Sequence, residues 1–450
     1  MSSQGFSFPQ DTLRAMAQDI LDHARSRGAS ACEADVSEGF GQSVTVRVGS
    51  VETIEYNRDK GVGVTVYLGQ RRGYASTSDF SRAALHATVD AALSIARFTA
   101  PDEAAGLPEA ELLARGEADL DLYHPWALPV EEAIDIARRC EAAAFAVSPM
   151  VKNSEGASVS AQQSHFVSAN SLGFMGGYAS SRHYLSCSVI AGEGDAMQRD
   201  DWYSTHRDPA DLAEAELVGE YAARRALSRL GARKIATCEV PVLFEAPLAS
   251  ALIGNFVYAV SGGSLYRKSS FLLDSLDTQV FSPQVHISER PHLPRGLASS
   301  PFDDDGVATH DREVVEAGVL KGYFLSTYSA RKLGMRTTGH AGGSQNLRLA
   351  SRLTQSGDDL DAMLKKLDRG LFVIELMGQG VNPVTGDYSR GAAGFWVEGG
   401  RIAHPVHEVT IAGHLRDMFK GIVAVGADVY ASGAKTTGSI LVERMKLAGS

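Results

Sequence analysis

The hydrophobic period changes from that of a helix to that of a strand and back, twice, within the first half of the chain. Leu13, Met16, Ala17, Ile20, Leu21 and Ala24 recur at helical spacing before Gly28. Residues three and four apart share one helical face, so a helix stopped by Gly28 is expected. Val44, Val46 and Val48 then alternate with Thr45 and Arg47, and Val62, Val64, Val66 and Leu68 alternate after Arg58-Asp59-Lys60-Gly61. Alternation sends every second side chain to one sheet face, and the polar run at 58–61 reads as the turn between two strands. Leu85, Val89, Ala92, Ile95 and Ala96 restore the helical period after Ser78.

The same order follows a linker at 99–127 that carries Pro101, Gly106, Pro108 and Pro125. Val130, Ala133, Ile134 and Ala137 mark a helix, and 150–192 reads as antiparallel strands with a turn at Asn170-Ser171-Leu172-Gly173. Leu212, Leu217, Tyr221 and Leu227 mark another helix, ending near Gly231. The expected fold class is α+β: two helix–antiparallel-sheet–helix units, 8–98 and 128–230, within an N-terminal domain of residues 1–232. Beyond it glycines are dense and short strand candidates recur at 240–244, 315–323, 371–376, 394–397 and 422–425. Helices at 247–260 and 358–367 interrupt them, so 233–450 reads as a β-rich C-terminal domain.

Charge narrows the partners. Lys and Arg number 43 against 54 Asp and Glu, a net charge of −11 that repels phosphate backbones and argues against direct nucleic-acid contact. No apolar run is long enough to span a membrane, and the N-terminus lacks the basic flank and apolar core of a signal peptide. Cys32, Cys140, Cys187 and Cys238 lie far apart without a CxxC pair. They read as free thiols, and a cytoplasmic setting is the expectation.

Several segments invite chemistry. His404 and His407, with Glu408 as a third donor, form the nearest local histidine pair, but Pro405 argues for an extended segment in which they face apart. Ser261–Ser270 resembles a phosphate loop without the GxxxxGK[ST] order; its backbone donors with Arg267 and Lys268 can hold a carboxylate such as a peptide terminus, or form a plain turn. Asp303, Asp304 and Asp305 lack calcium-loop spacing and read as a turn capping Gly306. No GxSxG nucleophile elbow is present. In 386–396, Asp387, Tyr388, Ser389 and Arg390 precede a run of small residues, which suits either a peptide or partner contact or a hairpin in which Asp387 pairs with Arg390.

Four long stretches carry a resemblance: SGGSLYRKSSFLLDS (261–275), PHLPRGLASSPFD (291–303), YSARKLGMRTTGHAGG (328–343) and ELMGQGVNPVTGDYSRGAAGFWVEGG (375–400). With these the chain resembles the TldD/PmbA peptidase family over essentially its whole length, on the PmbA (TldE) side. The resemblance implies that TldD-type members are zinc metallopeptidases with an HExxxH motif and a later Cys ligand. It implies that PmbA-type members partner them in complexes trimming or degrading unfolded peptides, microcin precursors and antitoxins among them. Carried onto this chain, the motif falls on 253–259, where Gly254 and Ala259 stand for the histidines and Asn255 for the glutamate. Glycine and alanine offer no ligand, and asparagine is no general base at neutral pH. No cysteine follows Cys238. The expectation is therefore a partner subunit without its own zinc, the metal belonging to a TldD-like chain, with a homodimer as the form when alone. A self-sufficient metallopeptidase and a non-enzymatic regulator of DNA gyrase stand as alternatives.

Overall fold

The computed structural model describes residues 5–116 and 118–449. Helix α1 (Gln10–Ser26), strands β1 (Ala31–Arg47), β2 (Ser50–Leu68) and β3 (Arg71–Thr77) and helix α2 (Arg82–Phe98) come first. Helix α3 (Val130–Val147), strands β4 (Val151–Asn170), β5 (Met175–Gly176), β6 (Ala179–Ala191) and β7 (Gln198–His206) and helix α4 (Ala215–Ser228) follow. The protein is a mixed α+β chain, and the strands of both groups merge into one seven-stranded antiparallel sheet in the order β3-β2-β1-β4-β6-β7, with β5 beside β4.

The junction is β1 against β4, in unbroken register from Glu33↔Asn170 to Val46↔Ala157. Ala34, Val36, Val44 and Val46 oppose Ala169, Val167, Val159 and Ala157, and all eight are buried. Because side chains alternate, these residues share one face. That face packs under α1 and α2 at one end and under α3 and α4 at the other. The reverse face carries Glu33, Asp35, Ser37, Ser43 and Thr45 of β1 beside Ser158, Ser160, Gln162, Ser164 and Ser168 of β4.

Three local expectations are corrected. Residues 58–61 are not a turn; they lie inside β2, where Arg58 pairs with Phe40 and Gly61 with Ser37. The reversal is at Val48-Gly49, both at positive φ, as a tight two-residue hairpin requires. Strand β3 covers only Val62–Leu68, so 50–61 is an exposed edge whose apolar side chains, Val51, Ile54 and Tyr56, stay in solvent. On α4, Leu217 and Tyr221 are exposed, and the buried face is Ala215, Val218, Gly219, Ala222, Ala223 and Ala226. Small residues sit there because α3 comes close: a Cβ on Gly219 would lie 1.9 Å from the Cys140 carbonyl oxygen. Ile95 on α2 is likewise half-exposed, its buried place taken by Leu93.

The C-terminal region begins with β8 (Cys238–Phe244), α5 (Ala246–Ala259) and α6 (Gly262–Tyr266), then β9 (Val285–Glu289), β10 (Arg312–Glu316), β11 (Val319–Leu320), α7 (Thr327–Lys332) and β12 (Leu347–Ser351). It ends with α8 (Leu360–Leu367), β13 (Gly370–Met377), β14 (Asp387–Glu398), β15 (Arg401–His414), α9 (Leu415–Lys420), β16 (Ile422–Val425), β17 (Lys435–Thr436) and β18 (Ile440–Ala448). Pairing of β15 with β18 closes β15-β14-β13-β8-β18 into a small barrel, with β16 on its rim. A second sheet runs β11-β10-β9-β12-β17. Phe244, Phe256, Phe281 and Phe419 belong to one continuous core, and α8 covers a separate patch of Leu243, Phe372, Phe395 and Leu441.

The stretch expected as a linker is sewn to the C-terminal region. Asp102 accepts from Lys332 Nζ at 2.7 Å and from the Tyr328 hydroxyl at 2.7 Å, while Arg331 donates to the carbonyls of Gly106 and Leu107 at 3.2 and 2.6 Å. Ala114 N donates to Gly306 O and Ala308 N to Leu112 O, both at 2.9 Å. On the other flank, Arg225 pairs with Asp200 at 2.9 Å and Glu245 at 2.6 Å, and Arg229 reaches Asp200 and Glu375. Buried charges of this kind are costly to leave unpartnered, so the network fixes how the two regions meet.

The close approach of α3 and α4 is testable. Gly219→Ala forces the helices apart and is expected to cost about 1–3 kcal/mol by overpacking. Gly254→Ala on α5, where nothing lies within 4 Å of the added carbon, is expected to gain about 0.5–1 kcal/mol from helix propensity alone. Urea midpoints at constant slope read both changes.

Candidate functional site

Helix α5 carries Gly254, Asn255 and Ala259, the positions that the resemblance sets against the zinc motif. It starts with Pro247 near its N-terminus and buries Ala249, Leu252, Ile253, Phe256 and Ala259. In a continuous helix, positions five apart lie roughly 140° around the axis from each other. Gly254 accordingly faces open space while Ala259 is fully buried, and Asn255 is half-buried between them. The side chains at these three positions supply no zinc ligand, whatever their placement on the helix.

The glycines of the turn after α5 serve packing rather than anion binding. A Cβ on Gly262 would sit 2.2 Å from the Ser329 hydroxyl, so the glycine admits α7. Backbone donors expected to be free are spent internally: Gly262 N on Phe324 O, Leu265 N on Ser261 O, Lys268 N on Leu265 O and Ser269 N on Ser264 O. These bonds fit the plain-turn reading of 261–270 and leave Arg267 and Lys268 as its donors toward an outside group. Arg267 and Lys268 remain exposed. The Arg267 guanidinium lies 5.0 Å over the Tyr266 ring and donates to its hydroxyl at 2.9 Å.

The 386–396 segment is strand β14, and its alternation separates the residues that the sequence grouped together. Asp387 and Ser389 are exposed, whereas Tyr388 points into the main core at 2% exposure. Burial pushes the Tyr388 phenol up to about 12, and its hydroxyl has no partner. Tyr388 is thus a core residue, not a peptide contact. Arg390 donates to the carbonyls of Met377 and Leu376 at 3.3 Å, and Asp387 accepts from Thr385 Oγ1 at 2.5 Å. The Asp387–Arg390 pair does not form. The turn after α6 and the start of β14 do meet: Phe271 N donates to Pro383 O at 3.1 Å, and Phe271 packs beside Gly386.

Other sequence candidates resolve simply. Glu408 is at a positive-φ bulge of β15, ion-paired with Lys234 at 2.9 Å, and among the described residues no group of three or more His, Cys, Asp or Glu could hold a metal. Asp303 anchors its turn, accepting from the backbone of Asp305, Val307 and Ala341 at 2.9–3.0 Å. The four cysteines are free, three of them buried.

One feature escaped the sequence because four separate segments build it. A cleft of about 720 Å³ opens between the β1–β2 end of the sheet, the 99–106 strap and α7. Glu33, Tyr67, Arg72, Asp102, Asp305 and Thr327 are among its walls. Burial, and then the nearby Asp305, raise the Glu33 carboxyl from 4.5 to about 7 while it accepts from the Tyr67 hydroxyl at 3.1 Å. Lys332 first, then Tyr328, hold Asp102 down at about 2. The cleft adjoins the α6 turn through Tyr328, whose ring stands 5.9 Å from that of Tyr266.

Two outcomes follow. Tyr388→Phe removes an unsatisfied buried hydroxyl, so thermal stability is expected to hold or rise by about 1 kcal/mol with no effect on peptide binding. Glu33→Gln is expected to raise the melting temperature at pH 8 by a few degrees and to leave it unchanged below pH 4.5. The sign follows from the raised carboxyl: native stability is complete below the unfolded value of 4.5 and declines as pH climbs to about 7. A stability gain independent of pH would mean that Glu33 is already ionised in the fold.

Known proteins place these features. The PmbA/TldA metallopeptidase domain models match residues 32–96 (domain 1), 123–230 (central domain) and 237–449 (C-terminal domain). The chain is 48% identical to Metalloprotease PmbA of Escherichia coli O157:H7 over 95% of its length and 94% of that protein. It is 46% identical to the Metalloprotease PmbA homolog of Haemophilus influenzae over 98% and 97%. A Bacteroides thetaiotaomicron crystal structure, provisionally described as a modulator of DNA gyrase, superposes with TM-score 0.91 at 26% identity, over 97% of this chain and 99% of that one. Matched from end to end in sequence and fold, the chain belongs to the PmbA/TldD metallopeptidase family as a PmbA homologue.

Proposed function

We propose that the chain is the PmbA-type subunit of a two-chain, cytoplasmic peptidase, holding unfolded peptide while a TldD-type partner supplies the zinc. The reading is carried by the content of α5: at the positions that the resemblance assigns to the metal motif stand Gly254, Asn255 and Ala259, and none offers a zinc ligand or takes a proton from water. The lack, among the described residues, of any other metal-holding group supports it. The surface formed by Arg267, Lys268, Asp387 and Ser389, exposed and joined through Phe271, is the contact face for peptide or partner. Arg390 supports that face from beneath by binding the β13 carbonyls.

A second reading, a self-sufficient metallopeptidase, is favoured by the name its Escherichia coli relative bears. The gyrase description belongs to the Bacteroides protein, and a net charge of −11 weighs against direct DNA contact here.

Reconstitution separates the readings. Mixed with a TldD-type chain, the protein is expected to co-elute in a defined complex and to raise cleavage of an unfolded peptide above that of the TldD-type chain alone. Arg267→Ala combined with Lys268→Ala is expected to weaken assembly or peptide capture at least fivefold without lowering the melting temperature. No complex and no change in cleavage would exclude the partner role.

A further inference from the structure

Strand β2 leaves one side of the N-terminal sheet open. Strand β3 pairs with Val62–Leu68 alone, and among the described residues no other strand lies outside 50–61. Every residue from Ser50 to Lys60 is exposed. The outward N–H and C=O groups of such an edge are a template for one more strand. Val51, Ile54 and Tyr56 stand opposite Val46, Val44 and Gln42 of β1, and paired residues share a face. They form a row on the helix side of the sheet, 37%, 44% and 60% exposed, that extends the buried Val44 and Val46 outward.

The other face of the edge has the opposite character. Thr53, Glu55, Asn57 and Asp59 stand there, opposite Thr45, Ser43, Gly41 and Gly39, a row with two carboxylates and no cation. The basic residues of the segment fall on the helix side and are folded back. Arg58 lies 4.9 Å over the Phe40 ring and donates to Glu38 at 2.9 Å, and Lys60 lies 4.9 Å over the Phe80 ring.

These features choose among occupants. Antiparallel pairing of β2 with a second copy of itself would lay the row of Glu55 and Asp59 against its own repeat, gathering four carboxylates with no cation between them. The register shift between Thr45 and Val46 also bends this edge, which hinders docking of another preformed sheet. Neither obstacle meets an unfolded peptide: a single strand follows the bend, and its sequence can set cations beside Glu55 and Asp59.

We propose that the 50–61 edge takes up an extended peptide segment as an added strand, with apolar side chains on Val51, Ile54 and Tyr56 and basic ones toward Glu55 and Asp59. Main-chain hydrogen bonds give affinity that tolerates many sequences, and the two rows select alternating apolar and basic residues. The assignment rests on the peptide-holding role above and adds where, and in what conformation, a segment is held.

The test is binding of a fluorescent ten-residue peptide alternating valine and lysine to the full-length chain at physiological salt. Two further peptides carry N-methyl groups on every odd or every even amide. One of these two is expected to bind at least about tenfold more weakly, because only alternate amides face β2, and the other to bind as the parent does. Replacing lysine by glutamate is expected to weaken binding about tenfold, and Glu55→Lys combined with Asp59→Lys to reverse that preference. Ile54→Asp is expected to weaken the parent peptide similarly, with melting curves confirming that each variant is folded. Equal binding of both methylated peptides, or a charge preference that the double substitution leaves unchanged, overturns the edge assignment while leaving the peptide-holding role intact. A dimer of the isolated chain that Ile54→Asp dissolves overturns it too, since a second copy would then occupy the edge. Failure of any unfolded peptide to bind the wild-type chain, alone or with its TldD-type partner, overturns both.

Discussion

Everything in the molecule is arranged around the unbroken β1–β4 pairing. In the register that sets Val36 opposite Val167 and Val44 opposite Val159, the apolar faces of two meanders become one face, and all four N-terminal helices gather on it. A one-residue slip would turn Ser and Asp into the core and Val outward. The reverse face is left polar and receives the C-terminal region at the Glu33 end, where Phe302 packs against Phe166 and Phe174. The cleft exists because that register aims Glu33 away from the helices and toward Asp305.

Charge then locks what the register places. The Arg225–Asp200–Glu245 and Arg229–Asp200–Glu375 contacts tie α4 and β7 to the β8–α5 junction and to β13. Arg207, buried, donates to the carbonyls of Gly296 and Leu297. Burying ions offers little net stability, but a mispaired arrangement is strongly disfavoured, so these contacts act on orientation more than on energy. A cleft whose walls belong to separate regions needs that orientation held.

Much of this was legible where one face of an element is buried and the other wet. The period change announced α1, α2 and α3, and the apolar runs announced β8, β13 and β16. Strand β2 misled because its outer half is an exposed edge: Arg58-Asp59-Lys60-Gly61 reads as a turn, while the real turn, Val48-Gly49, is hidden inside an apparent strand alternation. Helix α4 misled because it buries alanine and glycine, so its large residues point to solvent. The barrel closure joins β15 to β18, a pairing no local pattern encodes. At the site, the helical character of 247–260 was readable from its residues. The burial of Tyr388 was not, since Asp387-Tyr388-Ser389-Arg390 spans two faces of one strand. Glu33 and Thr327, 294 positions apart in numbering (327 − 33), meet only through the tertiary fold.

The most direct measurement is the zinc content of the isolated chain, purified without chelators and freed of every TldD-type contaminant, together with its cleavage of a short peptide. Far less than one zinc per chain and no chelator-sensitive hydrolysis is the expected result. Stoichiometric zinc accompanied by cleavage that a chelator abolishes would contradict the assignment of metal chemistry to the partner.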